Sequence, residues 1–434
     1  MNRMAYQDLI AWKINPARKP LLVQGARQVG KTWLLKTFGK NEYADCAYFN
    51  FEETPALTSL FDGSLEPANI LETLSAYRGQ TIVPGKTLLF FDEIQACPKA
   101  LTALKYFCEQ APAVHLVAAG SLLGVSVGKT SGFPVGKVHF LTLFPLTFFE
   151  FLDALGEHLL LAQVKENITF APLADLLHEK LSALLRIFLF TGGMPEAVQS
   201  YRQNRDYEAV RSLQKAILHA YQRDFSKYTT PTQAVRISEI WRSIPSHLAR
   251  ENKKLKYGDV RKGGRASQFE SAIEWLRSAG LIHTSVNIKA ARLPLAGYED
   301  PARFKAYLLD TGLLGAMLDV PARIITLGDA AFSEYNGAFV ENYVAAELAR
   351  KLDGALHYWI SDGIAEVDFV VAQEGNILPL EVKSGLNRTI KSLRVYDEKF
   401  SPPRLYRTSP RNFECRDHFA NIPLYAVGLF PQLR

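Results

Sequence analysis

The eight residues GARQVGKT, positions 25–32, constrain this chain more than any other stretch. A short apolar run at 21–23 leads into them, and a helical pattern follows. Glycine, four residues, glycine, lysine and threonine between a strand and a helix is the layout of a phosphate-binding loop. Gly25 and Gly30 let backbone N–H groups close around phosphate oxygens, and the helix N-terminus adds partial positive charge. Ala26, Arg27, Gln28 and Val29 complete the cradle, and Trp33 follows in the helix. Lys31 is expected to reach the β- and γ-phosphates, and the Thr32 hydroxyl to ligate Mg²⁺. The plain alternative is a chance glycine-rich turn, which the strand and helix flanks argue against.

A phosphate loop calls for a second strand ending in an acid, and KTLLFFDEIQ at 86–95 supplies one. Residues 88–91 read as a parallel strand buried on both faces. Asp92 then falls at the C-terminal end of the strand, where such sheets bind ligands. Asp92 is expected to hold Mg²⁺ and Glu93 to polarise the attacking water. A third strand, VHLVAAGSLLGV at 114–125, carries Ser121 where the strand gives way to a loop. Ser121 is either a contact to the γ-phosphate or attacking water, or part of an ordinary strand-to-loop turn. ATP with Mg²⁺ is the expected ligand, and ATP hydrolysis the expected reaction.

The bulk numbers restrict the setting without naming a function. The 434 residues are 48% hydrophobic and 22% charged, which suits several globular domains. No run of eighteen apolar residues indicates a membrane span, and the N-terminus lacks the cleavage pattern of a secretory signal. The four cysteines, Cys46, Cys97, Cys108 and Cys415, form no CxxC pair, which fits a reducing cytoplasm. A net charge of +6 mildly favours a polyanionic partner.

The middle of the chain is helical by spacing, notably LADLLHEKLSALLRIFLF and YEAVRSLQKAILHAYQRDF, interrupted at Gly192-Gly193 and Pro195. A small helical lid is expected there. SHLARENKKLKYGDVRKGGRASQFESAIEWLRSAGLIHTSVNI then runs helix, turn, helix, strand, the cadence of a winged helix. Its basic residues Lys253, Lys254, Lys256, Arg261, Lys262 and Arg265 are candidate DNA contacts, or else a solvated basic face.

Near the C-terminus a helix, NGAFVENYVAAELARKL, is followed by LHYWISDG, IAEVDFVVAQEG and NILPLEVKSG, which read as three strands. Asp368 lies among Val367, Phe369, Val370 and Val371. A carboxylate in such a run needs a partner or a metal. Glu381 and Lys383 follow on the next strand, two residues apart and so on one face. With Glu341 from the helix, these residues resemble the PD-(D/E)xK nuclease core. The resemblance implies a second Mg²⁺ or Mn²⁺ held by Glu341, Asp368 and Glu381, with Lys383 assisting catalysis. The other reading is a buried salt bridge between Asp368 and Lys383.

GARQVGKT, YFNFEE, FFDEIQ, AAGSLL, LFPLTFFEFL, TGGMPEAV, YLLDTGLL, GAFVENYV, EVDFVV and LEVKSG span nearly the whole chain. Together they resemble the AAA-type ATPases of bacteria and archaea whose C-terminal half is a domain of unknown function (family 4143). The resemblance implies Walker B acids at Asp92 and Glu93, a sensor-like Ser121, and by analogy a homo-oligomer such as a hexamer. Relatives tend to carry Gly-Arg ahead of FPLT where this chain has Gly136-Lys137; if that arginine serves as a finger on a neighbour's nucleotide, Lys137 is a poorer, non-bidentate substitute. The expected architecture is α/β. It comprises an AAA+ parallel-sheet core (1–155), a helical lid (156–243), a winged-helix-like domain (244–320) and a nuclease-like α/β domain (321–434). Two functions follow: a DNA-directed ATPase, or a nucleotide-gated switch in a defence or toxin-like system.

Overall fold

The structure is a computed structural model that describes residues 1–121, 134, 136–167, 169–227, 229–249, 255, 260, 266–322, 336–352, 356–361, 365–386 and 389–431. Two compact units divide the chain. One holds Asn2–Phe144 with Ser278–Gly280; the other holds Met1, Pro145–Arg277 and Leu281–Arg434.

The first unit is built on β1 (Leu21–Gly25), β2 (Asp45–Asn50), β3 (Thr87–Asp92), β4 (His115–Ser121) and β5 (His139–Thr142). They form a parallel sheet in the order β2-β3-β4-β1-β5. Helices α1 (Ala5–Ile14), α2 (Lys31–Glu42), α3 (Pro67–Arg78) and α4 (Pro98–Gln110) complete this unit. Every residue of β3 and β4 is buried, as continuous apolar runs in a doubly covered sheet require. The aromatic rings of Phe49, Phe51, Phe61, Phe91 and Phe107 interlock edge to face across one side of the sheet. The continuous stretch of this unit runs to Phe144.

The second unit begins with α5 (Phe148–Ala154), α6 (His158–Lys165), α7 (Asp175–Thr191), α8 (Pro195–Asn204), α9 (Tyr207–Lys227), α10 (Pro231–Leu248) and α11 (Ala266–Ser278). An eight-stranded sheet follows: β6 (Ile282–Ile288), β7 (Glu299–Leu308), β8 (Leu356–Ile360), β9 (Glu366–Gln373), β10 (Asn376–Val382), β11 (Leu405–Ser409), β12 (Glu414–Arg416) and β13 (Phe419–Pro423). The order is β12-β13-β11-β10-β9-β8-β6-β7. Helices α12 (Thr311–Met317), α13 (Asn336–Ala349) and α14 (Lys391–Phe400) complete it. The sheet crosses the boundary expected at 320. The hairpin β6–β7 is not a free wing, because β6 pairs in parallel with β8. An unpaired strand edge is satisfied by the next strand available.

Helix α13 is buried from Ala338 to Leu348, as its apolar circumference demands. Its polar residues are clipped to neighbours. Asn342 accepts from Leu308 N–H at 2.7 Å and donates back to Leu308 O at 3.1 Å. Glu347 accepts from the Phe148 N–H at 3.1 Å. The glycine pair in TGGMPE serves close packing. A Cβ on Gly193 would lie 2.1 Å from Leu146 O, and one on Gly192 would lie 2.2 Å from an Asp310 carboxylate oxygen. Asp310 in turn caps α12 through Leu313 N–H and accepts from Gly193 N–H. Segments that look conspicuous in the sequence thus meet as a backbone junction.

Candidate functional site

The C-terminal ends of the parallel strands gather the polar groups of the first unit. Gly25 at the end of β1 is in register with Ser121 on β4, and Asn50 on β2 with Asp92 on β3. Between β1 and α2 the loop closes tightly. Gly30 has φ 94°, and a Cβ on Gly25 would lie 2.2 Å from Leu143 O. Arg3 braces the loop from outside, donating to Val29 O at 2.8 Å and to Phe144 O at 2.6 Å.

Lys31 is 8% exposed and donates to Gly25 O at 3.0 Å and Ala26 O at 2.9 Å. Burial pushes its ammonium down to about 8, against the pull of Glu93 and Asp92. A desolvated cation inside a loop of backbone N–H groups favours an anion beside it. Thr32 Oγ1 donates to Asp92 Oδ2 at 2.8 Å. The same oxygen accepts from the Tyr48 hydroxyl at 3.0 Å, and Asp92 Oδ1 accepts from Glu93 N–H at 3.0 Å. An open cleft of about 510 Å³ is lined here by Thr32, Lys36, Tyr48, Asn50, Glu52, Glu53, Asp92 and Glu93.

Hard oxygen donors from Thr32 and Asp92 suit Mg²⁺. Two buried atoms, Ser121 Oγ and Gln95 Oε1, have no hydrogen-bond partner among the described residues. Buried polar atoms are ordinarily paired, so their orphaning at the strand ends also suits a polar ligand. Around Lys31 lie Arg27, which pairs with Glu52 at 3.8 Å, Gln28 at φ 63°, and the half-exposed Trp33. Lys137 pairs with Glu109 at 2.9 Å within this unit.

Sequence reasoning passed over three contributors: Tyr48, Gln95 and Arg3. Tyr48 and Gln95 sit inside segments it had singled out, YFNFEE and FFDEIQ, yet no spacing rule assigns them a role. Arg3 gives no local signal, because its acceptors Val29 and Phe144 lie far along the chain.

The C-terminal acids are held in ion pairs. Lys305 on β7, fully buried, contacts Glu341 at 2.9 Å, Glu366 at 2.5 Å and Asp368 at 3.8 Å. Tyr307 also donates to Glu341 at 2.5 Å. Burial opposes the Lys305 charge, but Glu341, Tyr307, Asp368 and Glu366 outweigh it and hold its pKa well above the ordinary value. Asp368 accepts further from Val382 N–H at 2.7 Å.

Glu381 instead pairs with Lys383 at 2.8 Å, and its Oε2 is buried without a hydrogen-bond partner among the described residues. Burial raises the Glu381 carboxyl, with Lys383 and Arg407 pulling the other way. Between His357 and Trp359 β8 advances two residues, while its partner β9 runs from Val370 to Val367. Val367 and Val370 both pack with Trp359, Leu393 and Tyr396, so Asp368 leaves regular alternation. Among the described residues no three His, Cys, Asp or Glu side chains are placed to hold a metal ion. Of the expected Glu341–Asp368–Glu381 set with Lys383, Glu341 and Asp368 face the ammonium of Lys305, and Glu381 pairs with Lys383. The pairing considered for Asp368 with Lys383 falls to Lys305 as well.

The candidate DNA contacts Lys253, Lys254, Lys256, Arg261, Lys262 and Arg265 lie outside the described residues. Among the described residues no helix is long and apolar enough to cross a membrane.

The family model of an AAA domain matches residues 17–152. Two domains of unknown function match further on, DUF8612 at 182–323 and DUF4143 at 336–427. No curated protein matches the chain. Among solved structures, C. elegans PCH-2 is similar at 11% identity over 47% of this chain, with a TM-score of 0.29. This chain spans 62% of that protein's chain. AMPPCP-bound DnaA from Aquifex aeolicus is similar at 14% identity, over 64% of this chain and 88% of that one, with a TM-score of 0.29. Cdc6p from Pyrobaculum aerophilum is similar at 16% identity, over 74% and 92% of the two chains, with a TM-score of 0.25. The chain carries an AAA domain with a parallel-sheet P-loop core, followed by helices and a C-terminal α/β region.

Proposed function

We propose that this chain binds and hydrolyses ATP and that DNA is the substrate its ATPase acts on. The observation that carries the ATPase reading is the convergence of Lys31, Thr32, Asp92, Glu93 and Ser121 at one edge of a parallel sheet. Thr32 and Asp92 would hold Mg²⁺, which when bound neutralises charge on the β- and γ-phosphates. Lys31 supplies a cation to the phosphates, and the N–H groups of residues 25–31 supply hydrogen bonds. Glu93 orients water and takes its proton, and Ser121 is placed to hydrogen-bond the γ-phosphate or that water. Placement of the nucleotide at a subunit interface, in a homo-oligomer that is a hexamer by analogy, belongs to the same reading.

The net charge of +6 and the basic stretch at 253–265 support the DNA part. The Lys305 cluster supports a binding rather than a cutting role for the C-terminal α/β module. Tethered ammonium replaces the charge a metal would bring, but it cannot activate water.

The test is ATP turnover with and without duplex, single-stranded and junction DNA. Stimulation by at least one form, abolished by Lys31→Ala, is the expected result. Turnover indifferent to every DNA form would favour the nucleotide-gated switch instead. Incubation of DNA with Mg²⁺ or Mn²⁺ is expected to leave it intact, and cleavage that Asp368→Ala removes would restore the nuclease reading.

A further inference from the structure

At the end of β3 the chain leaves the strand abruptly. Glu93 has φ 50°, a left-handed conformation that a non-glycine residue adopts only when its surroundings impose it. The backbone then enters a short 3₁₀ turn, Ile94–Ala96, which carries Gln95 back toward Glu93. Gln95 Nε2 donates to Glu93 Oε2. The amide can face the carboxylate only through its nitrogen, because an ionised carboxylate accepts and does not donate. The other end of that amide, Oε1, is buried and takes no hydrogen bond among the described residues.

From this geometry we infer that Gln95 is a positioning residue for ATP hydrolysis: it fixes the rotamer of Glu93 so that Oε1 of Glu93 faces the attacking water. The inference rests on the ATPase reading and deepens it. In the step concerned, the water oxygen forms a bond to the γ-phosphorus and the bond from that phosphorus to the β–γ bridging oxygen breaks. The electron pair of the broken bond stays on the ADP. The proton displaced from water passes to Glu93 and leaves with solvent. Gln95 exchanges no proton. It occupies one carboxylate oxygen so that the other remains for water, and the left-handed turn at Glu93 is what brings it within reach. A carboxylate free to swing would spend part of its time aimed away from the phosphate, and reaction from a fixed geometry is faster for entropic reasons.

The experiment compares wild type with Gln95→Ala and the isosteric Gln95→Glu, measuring kcat and KM for Mg-ATP, with affinity for a fluorescent ATP analogue measured alongside. Gln95→Ala is expected to lower kcat about tenfold or more while KM and analogue affinity stay within about twofold. Gln95→Glu keeps the size of the side chain but offers no donor to Glu93, so its kcat is expected to fall as that of Gln95→Ala does. A merely structural role would leave the isosteric variant near wild type. Gln95→Ala or Gln95→Glu with wild-type kcat overturns the inference alone, provided that wild-type turnover is abolished by Lys31→Ala. Wild-type turnover no greater than that of Lys31→Ala overturns the ATPase reading and this inference together.

Discussion

Lys31 and Lys305 are both buried lysines, and their surroundings push them in opposite directions. Lys31 faces neutral carbonyls, so burial dominates and its pKa falls to about 8. Triphosphate beside it restores the charge, so ATP binding near pH 8.5 is expected to take up protons, and affinity to fall as pH rises through about 8. Calorimetry in buffers of different ionisation enthalpy checks this; heats independent of buffer would count against it. Lys305 faces acids, so attraction dominates. Lys305→Met would remove the ammonium that Glu341, Glu366 and Asp368 face, at a cost of about 3–5 kcal/mol. Thermal unfolding of wild type and variant measures the gap; an unchanged melting temperature would refute the account. The first lysine was legible in the sequence because a loop motif fixes its neighbours. The second was not, since Lys305 sits on an edge strand, where lysine usually marks solvent exposure.

At the scale of elements, the loops and junctions matter more than the regular segments. Gly193 lets the turn between α7 and α8 lie against the backbone of Leu146, with Leu146 N–H donating to Gly193 O at 2.6 Å. Gly193→Ala is expected to destabilise the protein by about 3 kcal/mol, since neither backbone can yield cheaply. Gly337→Ala, in the first turn of α13 where a Cβ meets open space, is expected to be neutral or to stabilise by up to about 1 kcal/mol. Circular-dichroism melts compare the two, and equal effects would refute the packing argument. Strand identities for β1, β3, β8, β9 and β10 followed from apolar runs bounded by turn residues. The bulge in β9 did not, because it depends on register with β8, and register is a property of the pair.

For the whole molecule, two compact units imply two cooperative transitions. A ligand that binds one unit stabilises that unit by mass action, about 2.7 kcal/mol at a hundredfold excess over Kd. Mg-ATP is expected to raise one calorimetric transition and leave the other in place, and Lys31→Ala to remove the shift. A single transition, or equal shifts in both, would show that the units do not unfold separately. By itself the sequence determined the phosphate loop, the acid-tipped strand and the parallel sheet that joins them. Each of these is written in a contiguous run whose neighbours impose its conformation. Only the tertiary structure decided where the second unit's sheet begins, which cation meets Glu341 and Asp368, and that Gln95 turns back on Glu93. The first two depend on groups brought together across long stretches of chain, and the third on a single left-handed residue that no periodicity announces.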